Sequence, residues 1–332
     1  LFAARFYELN ERLGGLFSGG EFARHTCDVY TPLATHYRGY TIYETAPVSQ
    51  GFILLEELNI LSQVDLPRLD PLGPESIHLM VEAVKLSFAD RNQYAGDPAA
   101  TGFDVKKLLT PSWAEARYKE IDPGAARQAK DLLAPSPVGD TTAFVAVDGA
   151  GNACTFIHSN AFAFGSGLMV PGTGVLLNNR AGRSFNLVPG HPNCLAPGKR
   201  PLHTLNCYLV FHGDDLFLVG GTPGGDGQPQ WNLQILSLIL DHGASPQEAV
   251  DFPRWLSFPG TDVQHLDKPY ELQLEDRFPT DTLAALSARG HRVRRLGTWE
   301  GGGGAQVIML DPATGLLAGA SDRRVEGLAL GF

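Results

Sequence analysis

The sequence predicts an α+β fold, a layered sandwich rather than a doubly wound sheet, and three observations carry that expectation. Apolar residues recur at helical spacing up to about residue 140. β-like segments dominate from Thr141 onward, and strands and helices come in blocks with few β-α-β alternations. A chain of 332 residues that is 43% hydrophobic can bury a large core, which suits one large unit or two tightly packed halves divided at 1–140 and 141–332.

Taken in order, residues 37–43 read as one strand leading into a turn at Pro47. Helical spacing follows over 51–64 and again over 75–94, where Ser76 lies near the helix start. Residues 127–139 carry Pro135, Pro137 and Gly139 without periodicity and read as an exposed linker. Strands are then expected at 142–148 and 153–158, joined by a turn at 149–152, and at 207–211 and 216–219. Helices are expected at 231–241, 246–252 and 279–289, with a closing hairpin from 306–310 and 316–319.

Composition excludes several classes of function. The net charge is -10 and Lys and Arg are scattered, so there is no basic stripe for nucleic acid or an anionic membrane. A small molecule is the expected partner. The longest strongly apolar stretch, 233–240, is too short to cross a bilayer, and the first residues carry neither a cationic start nor an apolar signal core. The sequence begins at Leu1, so it is read as processed, truncated or incompletely represented. Cys27, Cys154, Cys194 and Cys207 form no CxxC and no metal-ligand spacing, which fits a reducing, cytoplasmic compartment.

Asp140-Thr141-Thr142 places a hydroxyl residue at the head of a mid-chain strand. A cut between Asp140 and Thr141 would give Thr141 a free amine beside its own hydroxyl, which activates a weak nucleophile without a histidine. The competing reading is two β-branched residues that simply begin a strand. The run from Gly220 to Gly227 follows a strand and precedes a helix, so its amides could stabilise an oxyanion. It lacks the Lys-Ser/Thr of a phosphate loop and the GxGxxG spacing; a plain glycine-rich turn is the alternative.

His158-Ser159 could suggest a serine nucleophile beside a base, but neighbouring strand residues face opposite sides, so Ser159 is expected to hydrogen-bond another hydroxyl. Arg180 and Arg183 sit in a loop-like stretch, either as carboxylate ligands or as solvated surface. His203-Thr204 is a polar pair entering a strand, with the same two readings. No zinc-protease His-Glu-x-x-His and no Gly-x-Ser-x-Gly elbow occurs.

Several motifs in order make the chain, from about residue 37 to its end, resemble the γ-glutamyltransferase (γ-glutamyltranspeptidase, glutathione hydrolase) family of N-terminal-nucleophile hydrolases. They are Tyr37-Arg38-Gly39-Tyr40, Ala89-Asp90-Arg91 with Gly96-Asp97-Pro98, Thr141-Thr142, Asp148 with Gly151-Asn152, and Phe164-Gly165-Ser166-Gly167. Leu176-Leu177-Asn178-Asn179, Lys199-Arg200-Pro201-Leu202, Pro223-Gly224-Gly225 and Gly319-Ala320-Ser321-Asp322 complete the set.

The resemblance implies a four-layer αββα sandwich and self-cleavage of a proenzyme between Asp140 and Thr141. Residues 1–140 would then be the C-terminal part of a large subunit and 141–332 a small one, paired as a heterodimer, either alone or as a dimer of these. It implies Thr141 as nucleophile, Ser159 in place of a threonine that hydrogen-bonds it, Gly224 and Gly225 as oxyanion-hole amides, and an acyl-enzyme resolved by water or an amine. No metal or organic cofactor is implied.

Two positions depart from the family. Arg180 and Arg183 stand where transpeptidases carry Gln and an Asp that holds the γ-glutamyl amino group, and His203-Thr204 replaces a serine pair that binds the α-carboxylate. The expected substrate is therefore a γ-glutamyl or related small amide or, alternatively, an anionic amide such as oxamate with Arg180 as anion contact; Arg183, His203 and Thr204 complete the expected substrate-binding set. Two other readings stand beside these: an uncleaved, non-catalytic homologue serving as a binding or structural module, and a serine hydrolase using Ser159.

Overall fold

The computed structural model describes residues 1–128, 141–258, 270–311 and 313–332. Most of the expected linker at 127–139, and Asp140 with it, lies outside the described residues.

Helices α1 (Phe2–Arg12) and α2 (Glu21–Arg24) precede strands β1 (Leu33–Tyr37) and β2 (Tyr40–Glu44). Residues 37–43 are thus a hairpin corner rather than one strand. Arg38 and Gly39 take φ of 51° and 85°, the two-residue turn that suits the twist of an antiparallel pair. Then come α3 (Phe52–Leu61), α4 (Pro74–Tyr94), α5 (Pro98–Thr101) and α6 (Pro111–Tyr118).

Beyond Thr141 lie β3 (Thr141–Val147), β4 (Ala153–Ser159), α7 (Arg180–Ser184), β5 (Cys207–His212), β6 (Asp215–Gly221) and α8 (Gly227–Leu240). They are followed by α9 (Pro246–Asp251), β7 (Trp255–Phe258), β8 (Glu271–Glu275), α10 (Thr280–Ala288), β9 (Val293–Leu296), β10 (Gln306–Leu310) and β11 (Leu317–Ser321).

The class is α+β, and the layers are visible. A six-stranded antiparallel sheet runs β1-β2-β5-β6-β10-β11. Helices α3 and α8, buried nearly all round although each carries several polar side chains, cover one of its faces. The β3–β4 ribbon lies against β5, β6 and β10. Odd-numbered ribbon residues, Thr141 and Ile157 among them, turn inward; the even ones, including the stacked Phe144 and Phe156, face outward. A separate small sheet, β7-β8-β9, was not foreseen; its β8–β9 pair is parallel.

Several motif acids hold this frame together through ion pairs: Asp90 with Arg117, Asp97 with Arg200, and Asp322 with both Arg254 and Arg324. Glu57 on α3 behaves differently. It is fully buried, and among the described residues neither carboxyl oxygen has a hydrogen-bond partner. Burial holds its carboxyl well above the usual range. A raised folded pKa contributes stability below the unfolded value and loses it as pH rises, so the cost of Glu57 grows from weakly acid to alkaline pH. Glu57→Gln is therefore expected to raise the melting temperature by a few degrees more at pH 8 than at pH 4.5. Equal gains at both pH values in paired melting curves would refute this.

Candidate active site

The register of the ribbon makes Thr141, the first residue of β3, the cross-strand partner of Ser159, the last residue of β4. Both face inward, and the Thr141 hydroxyl donates to the Ser159 hydroxyl at 2.8 Å. Ser159 is itself oriented, because its Oγ accepts the Ala161 N–H at 2.9 Å. His158 sits exposed on the other side of the ribbon, as strand alternation requires.

The glycine-rich segment emerges from the end of β6, directly against the ribbon, where the Thr155 hydroxyl donates to the Gly220 carbonyl at 3.0 Å. Gly224 and Gly225 take φ of 127° and 57°, and a Cβ at Gly224 would lie 2.1 Å from a ring carbon of Trp231. The Gly224 carbonyl accepts from the Gly227 N–H at 3.0 Å. In a trans peptide the N–H points opposite to the C=O, so the Gly225 N–H is turned away from the first turn of α8. Among the described residues no hydrogen bond uses the Gly224 or Gly225 N–H.

The remaining candidates gather around these two glycines. Residues 180–184 form a short helix, not a loop, and Arg183 is buried. Its guanidinium donates to the Ala161 carbonyl at 3.1 Å, lies over the Phe162 ring, and comes within 2.9 Å of where a Gly225 Cβ would be. The solvated-surface reading of Arg183 is thus overturned, because partners distant in sequence enclose it. Arg180 donates to the Thr204 hydroxyl at 3.4 Å. His203 is held down to about 4 by burial and by the nearby Arg180 and Arg200, so at neutral pH it is an uncharged imidazole.

Three buried residues that sequence reasoning did not single out tie the site together: Gln50, Arg91 and Asp226. Gln50 Nε2 donates to the carbonyls of Thr204 (3.0 Å) and Gly225 (3.1 Å), so one side chain touches both the Arg180 side and the glycine side. The glycine-glycine-Asp run and the Ala89-Asp90-Arg91 motif were the available signals.

Among the described residues, His78, Glu82 and His291 have the spacing of metal ligands. Their donors are already engaged: Glu82 with Lys85 (2.7 Å) and the Arg127 N–H (3.1 Å), and His78 with His291 and the Asp122 carbonyl (both 2.8 Å). Along α4, His78 lies roughly 20 Å from Arg91 at 1.5 Å per residue.

The gamma-glutamyltranspeptidase family model matches residues 2–332. The chain is 36% identical over 325 residues to the glutathione hydrolase-like YwrD proenzyme of Bacillus subtilis, covering 96% of this chain and 59% of that protein. It is 36% identical over 321 residues to the oxamate amidohydrolase proenzyme of Klebsiella pneumoniae, with the same two shares. The solved cephalosporin acylase from Bacillus halodurans superposes with a TM-score of 0.85 at 33% identity, over 98% of this chain and 57% of that one. The chain thus spans under two thirds of the length of these relatives.

Proposed function

The chain belongs to the gamma-glutamyltranspeptidase family, and on that premise we propose that it carries the nucleophile of a self-processing amidohydrolase or acyltransferase, with Thr141 as that nucleophile. The observation that supports this most is the Thr141–Ser159 hydroxyl pair at 2.8 Å, at the head of a strand and on its inner face.

Cleavage after Asp140 would free the Thr141 amine. That amine takes the hydroxyl proton as Oγ1 attacks an amide carbonyl, and the Gly224 and Gly225 N–H groups receive the negative charge of the tetrahedral intermediate. As the C–N bond breaks, the proton passes to the leaving amine, and an ester to Thr141 remains. Water or an acceptor amine attacks that ester, giving hydrolysis or acyl transfer, and neither step calls for a metal or organic cofactor. Ser159, fixed by Ala161, orients Thr141 Oγ1. The two products of the cut would stay together as large and small pieces. Mass analysis of the full-length protein tests the cleavage: a fragment beginning at Thr141 is expected, and a single stable chain overturns it.

For the substrate we favour a small amide bearing a carboxylate, of the kind named for the Klebsiella relative. Arg180, beside Thr204 and the uncharged His203, offers the cation, and a charge-assisted hydrogen bond contributes about 1.5–3 kcal/mol. Arg180→Ala is accordingly expected to raise the KM for oxamate about 10- to 100-fold; an unchanged KM removes Arg180 from the substrate contact.

A further inference from the structure

Gln50 lies two residues before the start of α3 and is fully buried. Its carboxamide is used at both ends: Nε2 donates to the Gly225 and Thr204 carbonyls, and Oε1 accepts from Arg91 Nη1. Arg91, in the last turn of α4 and buried as well, also grips Asp226 with its planar fork, Nη1 to Oδ1 at 2.6 Å and Nη2 to Oδ2 at 3.3 Å. The glycine segment is fastened at three successive residues: Gly224 by its carbonyl to the Gly227 N–H, Gly225 by its carbonyl to Gln50 and to the Gln228 N–H at 3.3 Å, and Asp226 by its side chain to Arg91.

Two adjacent glycines at φ of 127° and 57° have wide backbone freedom when untethered. An oxyanion hole requires the opposite, because donors that must reorient during the reaction lose most of their advantage. Each fastening takes a carbonyl or a side chain and leaves the Gly224 and Gly225 N–H groups unused among the described residues.

We infer that Gln50 and Arg91 are positioning residues that aim the Gly224 and Gly225 amides, an assignment that rests on Thr141 being the nucleophile. Neither residue need touch the substrate. Gln50 holds the Gly225–Asp226 peptide by its carbonyl, and Arg91 holds the Asp226 side chain. Together they anchor the downstream end of the glycine pair and restrict the two preceding peptide planes, which carry the Gly224 and Gly225 N–H groups. Their loss therefore acts on the tetrahedral species more than on the bound ground state.

The test uses the full-length protein with γ-glutamyl-p-nitroanilide and oxamate as substrates and phenylboronic acid as a tetrahedral mimic, rates being normalised to the fraction cut at Thr141. Gln50→Leu keeps the apolar volume and removes every hydrogen bond; Arg91→Lys keeps the charge and removes the fork. Gln50→Leu is expected to lower kcat about 10²- to 10³-fold with KM within about twofold, and to weaken phenylboronic acid inhibition in parallel. Arg91→Lys, the milder change and the one that decides if Gln50→Leu does not fold, is expected to lose about 10-fold in kcat with the same pattern. An active wild type whose kcat and boronate inhibition survive in both variants overturns the positioning role alone. A wild type with no Thr141-dependent turnover overturns the nucleophile reading and the positioning role with it.

Discussion

Thr141→Ala is expected to lower turnover at least about 10⁴-fold, the scale seen when an acyl-transfer nucleophile is removed, and to leave the chain uncut. Alanine deletes both the attacking oxygen and the donor of the 2.8 Å bond to Ser159, while the half-buried head of β3 keeps its place opposite β4. The loss should therefore appear without a matching loss of fold. Thr141→Ser restores an oxygen at the same position and should recover cutting and most of the turnover. The decisive measurements are intact mass and steady-state rate on the same preparations. Turnover that persists in Thr141→Ala would transfer the chemistry elsewhere, with Ser159 the first place to look.

Gly224→Ala should produce the next largest effect, through packing as well as chemistry. The new methyl would meet the Trp231 ring at 2.1 Å, with φ at 127°, where L side chains are strained. The ring has nowhere to retreat. Trp231 is buried, and positions for a Cβ on Gly227, Gly302 and Gly303 lie within 2.4, 2.9 and 2.8 Å of it. The loop itself must shift, which costs about 3 kcal/mol of stability and turns the amides off target, with about 10²- to 10³-fold in kcat. Gly225→Ala is the informative contrast: its φ of 57° is open to alanine at modest cost, and the 2.9 Å neighbour is the far end of the Arg183 side chain. A thermal melt and a rate for each variant separate the two, and equal effects would contradict the wedged-ring account.

What could be read from the sequence was whatever neighbouring residues decide. The turn between β3 and β4 is local: the Asp148 carboxylate accepts from the Ala150 and Asn152 N–H groups and from the Asn152 amide. The buried α8 was equally plain from its apolar run. The β1–β2 corner was misread because the aromatic and β-branched residues on either side of Arg38-Gly39 read as one run, and one of its two turn residues, Arg38, adopts φ of 51° without being glycine. The β7-β8-β9 sheet escaped because its strands are only four or five residues long and two of them, β8 and β9, carry charged residues.

At the site, Thr141 and Ser159 were legible from strand alternation, together with the family resemblance. Gln50, Arg91 and Asp226 were not, because their connections span 41 and 135 residues. Nothing local marks a buried Gln as a bracket for a distant carbonyl. The same holds for Arg183, whose partners Ala161 and Gly225 are supplied by other parts of the fold.

The six-stranded sheet does not respect position 141. β2, from before it, bonds along its length to β5, from after it, and α3 packs on α8 across the same divide. A cut there breaks no rung of that ladder, so the folded form scarcely registers it. The denatured form registers it fully, because one molecule then melts into two, each with its own translational freedom. Folding of the uncut chain is a first-order event indifferent to dilution. After the cut, reassembly becomes second order, and the partners must find one another before the sheet can close. Severing the backbone would make maturation a step that dilution helps to keep from being retraced: a severed pair that comes apart has lost the tether that first brought its strands together.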